Sequence, residues 1–194
     1  MTLPYGFVSF DRVCFHLINR VWTSPFLDAV MPAVTDLNKR KWFVYGVAPA
    51  VVALWLYKGR MKAARVLVVA AIAVGACDLL AYRVIKPCVG RPRPEYSDVG
   101  AIVRSDHGGK MSFPSNHAVT TASAAAVLGV AYPPLAWAFW TVVAVIGYSR
   151  VYCGVHYPGD VLAGIVLGGV LSYLWAVLML GAPGGGHAAK KKKR

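Results

Sequence analysis

The feature that most restricts what this chain can fold into is a series of apolar runs, each about as long as a bilayer is thick and most of them closed by basic residues. Trp42 to Tyr57, about Ala63 to Ile85, Pro114 to about Tyr132, Leu135 to about Tyr148, and about Asp160 to Leu180 are such runs. A helix of roughly 20 apolar residues crosses the ~30 Å hydrocarbon core of a bilayer. With 57% hydrophobic and only 15% charged residues, and a mean hydropathy of +0.52, a soluble domain is excluded. The expectation is an all-α, polytopic transmembrane helical bundle of five spans. It forms a single membrane-embedded domain over residues 1–181, followed by a flexible polybasic tail over 182–194. Counting residues 22–38 as a span raises the number to six.

Residues 1–40 read as amphipathic helices lying on the membrane surface. Phe7, Phe10, Val13, Cys14, Leu17, Ile18 and Val21 recur at helical spacing opposite Asp11 and Arg12. No basic region followed by an apolar core and cleavage site opens the chain, so no removable signal peptide is expected. Between the second and third runs lies a polar loop, residues 86–114, whose prolines 87, 92 and 94 stop a continuing helix. Asp78, inside the second run, must be paired, near the interface, or neutral, and Arg83 and Lys86 are the nearest candidates for pairing. Gly164 and Gly168, four apart, permit close helix packing. The spans alternate sides, so the 86–114 loop and the segment Ser149 to Asp160 share one face, opposite the Lys58 to Arg65 loop and the KKKKR tail. The positive-inside rule gives the tail's face to the cytoplasm; Lys39, Arg40 and Lys41 fall on the other side and weigh against that assignment. The net charge of +13 sits in short loops and the tail, a pattern suited to anionic lipid and phosphate rather than nucleic acid.

The outward face collects Lys86, Arg93 and Arg150, cations with no matching acids and hence an anion site. Ser115 and Asn116 stand where a helix begins, so backbone amides, the serine hydroxyl and the helix dipole can meet the same anion. His117 and His156 lie beside these cations. Asp160, four residues after His156, can accept the Nδ1 proton, which leaves Nε2 to attack or to accept a proton. Each piece alone has an ordinary structural reading; it is their joint placement on one face that points to chemistry on a phosphoryl group. Glu95, Asp98 and Asp106 form no tight carboxylate cluster of the magnesium-binding kind, so no metal or other cofactor is expected.

The three segments resemble the three signature motifs of the type 2 phosphatidic acid phosphatase superfamily, membrane lipid phosphatases related to vanadium haloperoxidases. Lys86, six residues and Arg93-Pro94 match the first, Pro114-Ser115-Asn116-His117 the second, and Ser149-Arg150, five residues, His156, three residues and Asp160 the third. The resemblance covers roughly residues 80 to 180. One departure is Asn116, where the family usually has Gly. The resemblance implies a metal-free, two-step hydrolysis: His156, oriented by Asp160, attacks phosphorus to form a phosphohistidine, and His117 protonates the leaving oxygen and then helps to activate water. Lys86, Arg93, Ser115, Asn116 and Arg150 hold the non-bridging oxygens.

Undecaprenyl diphosphate is the favoured substrate, with phosphatidic acid, phosphatidylglycerophosphate and the phosphate of lipid A as alternatives within the family. A non-catalytic binder of anionic head groups is the alternative outside it. The expected location is a bacterial inner (cytoplasmic) membrane, with the active site facing the periplasm and the bilayer, including its anionic lipids, as partner. Tyr96 to Lys110 can shape head-group choice, with His107 a solvated loop residue. Cys88 and Cys153 each lie near a phosphate-binding arginine on the outer, oxidising side, where a disulfide between them is possible; Cys14 and Cys77 read as apolar residues.

Overall fold

The computed structural model describes residues 5–106 and 109–183; His107 and the KKKKR tail lie outside the described residues. Regular structure among these residues is helical, apart from one isolated bridge between Pro92 and Met111. The all-α expectation holds. Helices α1 (Tyr5–His16) and α2 (Pro25–Thr35) precede α3 (Ala48–Leu80) and the short α4 (Lys86–Val89); α5 (Asn116–Ala131), α6 (Ala136–Tyr152) and α7 (Pro158–Leu180) complete the bundle.

Ser24 starts α2 by accepting a hydrogen bond at Oγ from Leu27 N (3.2 Å), and Pro25 occupies the first turn, where a missing N–H costs nothing. Its 11 residues rise only about 17 Å, too little to cross a bilayer, so residues 22–38 are not a further span. Three helical stretches have the length and apolarity to cross: Phe43–Val89, Pro133–Tyr152 and Pro158–Leu180. The first two expected spans are the two parts of the 47-residue stretch, two helices that meet at a kink at Arg60 (φ 45°, ψ −129°), inside the loop expected between them. One expected span differs. The third expected span, α5, has 16 residues, about 24 Å, and lies enclosed by α3, α6 and α7.

Helix α5 is the hub because it is built from small residues. Ala118, Val119, Ala122, Ala125, Ala126, Val127 and Val130 are buried along it. Its principal neighbour is α7, whose Gly164 and Gly168 make the approach possible. A Cβ at Gly168 would stand 2.2 Å from the Val119 carbonyl oxygen, and one at Gly164 would stand 2.8 Å from that of Ser115. On the opposite side of α7, Leu162, Val166, Val170, Leu174 and Leu178 form an exposed stripe at one-turn spacing. A continuous apolar surface of that kind suits lipid, not water.

The expected opposition of apolar residues to Asp11 is present in α1, but the polar side faces the protein instead of water. Asp11 (2% exposed), Phe15 and Asn19 point into the protein at intervals of four, while Phe10 (68%), Val13 and Val21 point outward. In a bilayer the apolar face of a helix has no reason to turn inward, so buried polar partners decide the rotation. Asn19, in the helical turn Leu17–Val21 that continues α1, ties this region to two distant segments. Its Nδ2 donates to the carbonyls of Ile102 and Tyr152 (both 2.8 Å), and its Oδ1 accepts from Ile102 N (2.8 Å).

Candidate active site

The site forms where the ends of four helices meet the 86–114 loop. The long stretch from Phe43 ends at Gly90, which adopts the left-handed conformation (φ 62°) that glycine takes without penalty at a helix end. Lys86 is thereby held at the last turn and buried. Its Nζ donates to the carbonyl of Pro114 (2.8 Å), with those of Met111 (3.3 Å) and Ser112 (3.5 Å) nearby. The cation therefore folds the loop over the site as well as contributing charge to it.

Arg93 is buried and holds three sides at once. Nε donates to Gly109 O (2.9 Å), and Nη1 donates to Val155 O (2.8 Å) and lies 3.1 Å from His156 Nε2. A guanidinium can only donate, so His156 Nε2 carries the lone pair and the ring proton sits on Nδ1. That nitrogen faces Asp160 Oδ2 at 3.6 Å, an ion-pair separation longer than a hydrogen bond. The histidine is almost fully buried, and burial, reinforced by Arg93, Arg150 and Lys86, pushes its pKa well below the ordinary value. The neutral ring, the form with a lone pair to offer, is thus favoured.

Asp160 sits in the first turn of α7, fully buried. Oδ2 accepts from Tyr157 N (2.9 Å), and Oδ1 receives Arg91 Nη1 at 2.7 Å. Arg91 extends the chain of charges: its Nη2 lies 2.6 Å from Asp11 Oδ2, and Asp11 Oδ1 accepts from Gly159 N (2.7 Å). The order Asp11, Arg91, Asp160, His156 joins α1, the loop and α7 behind the histidine. Tyr157 packs its ring 4.0 Å from the Arg91 guanidinium carbon and covers the array.

The start of α5 is pinned by Ser115 N, which donates to Asp160 O (3.0 Å). That amide is occupied within the protein, contrary to the expectation that it points at a bound anion; Ser115 Oγ is buried with no protein partner. Asn116 Nδ2 donates to Asp78 Oδ1 (2.7 Å), so Asp78 finds its partner in Asn116 rather than through an ion pair with Arg83 or Lys86. Asn116 Oδ1 and His117 Nε2 have no protein partner. At the end of α6, Arg150 is almost fully buried. Its Nη1 donates to Thr35 Oγ1 (2.6 Å), while Nε has no partner.

Lys86, Arg93, Asn116, His117, Arg150 and His156 line one cavity of about 220 Å³, together with Lys39, Tyr82 and Asp106. Ser115 and Asp160 stand behind this wall. Sequence reasoning missed Arg91, Asp11, Lys39 and Tyr82. Lys39 bonds Asp36 Oδ1 (2.7 Å) and the Asp106 carbonyl (2.5 Å), so it belongs to the cavity rather than to an interfacial fringe. Cys88 and Cys153 are both free thiols, the first exposed and the second buried, and the disulfide considered between them is not formed. Unpartnered donors and one lone pair around a cavity that holds four cations can grip a small tetrahedral anion and present a nucleophile to it. Among the described residues no group of three or more His, Cys, Asp or Glu comes together to hold a metal ion.

Comparison with known proteins bears on this geometry. The model of the family described as the PAP2 superfamily matches residues 62–182. A lipid A 4'-phosphatase of Bacteroides thetaiotaomicron is 32% identical over 165 residues, 78% of this chain and 69% of that protein. An undecaprenyl-diphosphatase of Sulfolobus acidocaldarius is 44% identical over a shorter 64-residue stretch, 32% of this chain and 31% of that one. The crystal structure of a transmembrane PAP2 type phosphatidylglycerolphosphate phosphatase from Bacillus subtilis superposes with a TM-score of 0.65 at 24% identity, covering 98% of this chain and 89% of that one.

Proposed function

Since the chain belongs to the PAP2 superfamily and is a membrane lipid phosphatase, we propose that it hydrolyses a lipid diphosphate without a metal, through a phosphohistidine at His156. The observation that carries this reading is the tautomer of His156. Its Nε2 lone pair borders a cavity ringed by Lys39, Lys86, Arg93 and Arg150, and its Nδ1 proton faces a buried carboxylate. The four cations offset the charge of the phosphoryl oxygens, and Arg93 turns from Nε2 to an oxygen when the substrate enters. Burial, with Arg150 and Lys39 nearby, holds His117 neutral in the empty site (pKa about 4), so it takes up a proton as the anionic substrate enters. Nε2 of His156 then forms a bond to phosphorus as the bond to the leaving oxygen breaks, and His117 supplies that proton to the oxygen. Asp160 balances the positive charge that develops on the His156 ring. In the second step neutral His117 takes a proton from water, the hydroxide attacks phosphorus, the P–N bond breaks and inorganic phosphate leaves.

A second cavity of about 270 Å³ supports a diphosphate. It shares Tyr82 and Lys86 with the first and adds Arg83, Pro87, Gly109, Lys110 and Met111. A phosphate held there by Arg83 and Lys110 is the leaving group of a diphosphate attacked at its distal phosphorus. Undecaprenyl diphosphate is the substrate we favour, with the site on the periplasmic side of a bacterial inner membrane. The longer match to a lipid A phosphatase favours a second reading, in which that cavity holds a sugar head group. Purified protein assayed for phosphate release on lipid diphosphates and monophosphates, with chelator present, tests the proposal. Activity should persist in chelator and fall at least about 10³-fold in His156→Ala. Substituting Gln at Arg83 and Lys110 should lower kcat/KM for the diphosphate only. Unchanged turnover in His156→Ala would sink the mechanism, and equal losses on both substrates would sink the diphosphate assignment.

A further inference from the structure

We infer that the end of the bundle opposite the active site binds one anionic phospholipid, with its phosphate at Lys62 and Arg65 and an acyl chain in the groove beside them. The groove measures about 680 Å³, and its walls include Val66, Val130, Tyr132, Pro134, Leu135 and Leu180. It lies at the last turns of α5 and α7, whereas the active site lies at their first turns. The 23 residues of α7 rise about 35 Å between the two, the full thickness of a hydrocarbon core.

Two features of the groove point to its occupant. The first is charge. Lys62 Nζ stands 4.7 Å from the centre of the Tyr132 ring, which is fixed by a hydrogen bond from Trp55 Nε1 to its hydroxyl (3.0 Å). Arg65 donates to the Met179 carbonyl near the end of α7. Neither cation has an acidic partner among the described residues, and the sequence can supply none: no Asp or Glu occurs from Ala48 to Cys77, from Ala118 to Tyr148, or after Asp160. At the other end of the bundle, acids compensate cations: Asp11 and Asp160 pair with Arg91, Asp36 with Lys39, and Asp28 with Arg104. Both cations are exposed, open to a counter-charge on another molecule. The sequence after Ala182 adds four lysines and an arginine but no Asp or Glu.

The second feature is the wall. A soluble anion has no use for a channel of Val, Pro, Leu and Tyr side chains three times the volume of the active-site cavity. A phospholipid uses both parts, since its phosphate sits at the depth where Lys and Arg reach the interface and its chain fills apolar space. A phosphate and an acyl chain on one molecule match the two halves of the groove.

The test uses full-length protein in neutral detergent, titrated with phosphatidylglycerol or with phosphatidylcholine of the same chains and followed by native mass spectrometry. One phosphatidylglycerol should bind, and phosphatidylcholine should bind much more weakly. The Lys62→Gln/Arg65→Gln pair should weaken phosphatidylglycerol about thirtyfold, while Lys58→Gln, outside the groove, leaves it unchanged. Phosphatase activity on a soluble phosphate ester checks that the double variant is folded. Leu135→Trp, which narrows the groove and keeps both cations, should also weaken binding. Equal retention of the two lipids, or full phosphatidylglycerol binding by the double variant or by Leu135→Trp, would overturn the inference; binding that survives the double variant would belong to the basic tail or to a contact between two copies.

Discussion

Replacing Arg91 with Met removes a guanidinium that holds two buried carboxylates, Asp11 at 2.6 Å and Asp160 at 2.7 Å. Both acids are almost wholly shielded from solvent, so neither can recover its hydration in the variant. Removing one partner from a buried ion pair costs about 3–5 kcal/mol, because a charge is left without compensation. Thermal unfolding followed by tryptophan fluorescence should therefore drop by roughly 6–20 °C, at about 2–4 °C per kcal/mol for a chain of this size. Turnover should fall by about 10²-fold through loss of the geometry that sets the His156 ring. KM should change little, since Arg91 does not line the cavity. The Asp11→Asn/Arg91→Met pair separates folding from catalysis. With one fewer stranded carboxylate it should regain part of the stability, while kcat stays low because Asp160 still lacks its anchor. An Arg91→Met protein that melts within about 2 °C of wild type, or a double variant that regains turnover together with stability, would refute the reasoning.

Other perturbations read different parts of the structure. His156 is held neutral while an unfolded chain protonates at its ordinary value near 6.5. Unfolding then takes up a proton below that pH, so acidification from 6.5 should cost up to about 1.4 kcal/mol per pH unit, and His156→Gln should flatten that slope in melts from pH 7 to 5; an equal slope in the variant contradicts the assignment. Gly168→Ala places a methyl 2.2 Å from the Val119 carbonyl and should cost about 1–3 kcal/mol, whereas Gly75→Ala, with nothing within 4 Å, should be neutral or slightly stabilising; similar melting of the two variants would deny the close α5–α7 approach. Asn116→Gly, the family's usual residue, strips Asp78 of its 2.7 Å donor and should cost about 1–3 kcal/mol, with Asp78→Asn/Asn116→Gly recovering most of that loss in the same melt.

What the sequence made legible was local. Lys86 with Arg93, Ser115 to His117, and Arg150 with His156 and Asp160 are close pairs whose offsets can be read directly, and the cavity gathers most of them. Arg91 was not legible, because its partners lie 80 and 69 positions away and its own position among prolines looks like a turn. Asp11 was visible on the face opposite the apolar residues, but nothing local shows that this face meets Arg91 and Gly159 instead of water. The count of spans followed apolar length, which cannot foresee that a 16-residue helix of small residues sits at the centre of the bundle. A Cys88–Cys153 disulfide was open on sequence because each lies near an arginine of the cavity, but nearness along the chain carries no information about where a short side chain points.

The contact between Arg93 and His156 Nε2 makes the resting enzyme chemically quiet. The lone pair that would react with any electrophile drifting in from the membrane or the medium is already engaged by a guanidinium 3.1 Å away. Only a ligand that the guanidinium prefers, one with several anionic oxygens, can release it. Acylating reagents should therefore modify His156 slowly in the empty enzyme, and under the mechanism proposed above selectivity begins before any bond to phosphorus forms, with the substrate removing the protection from the proposed nucleophile.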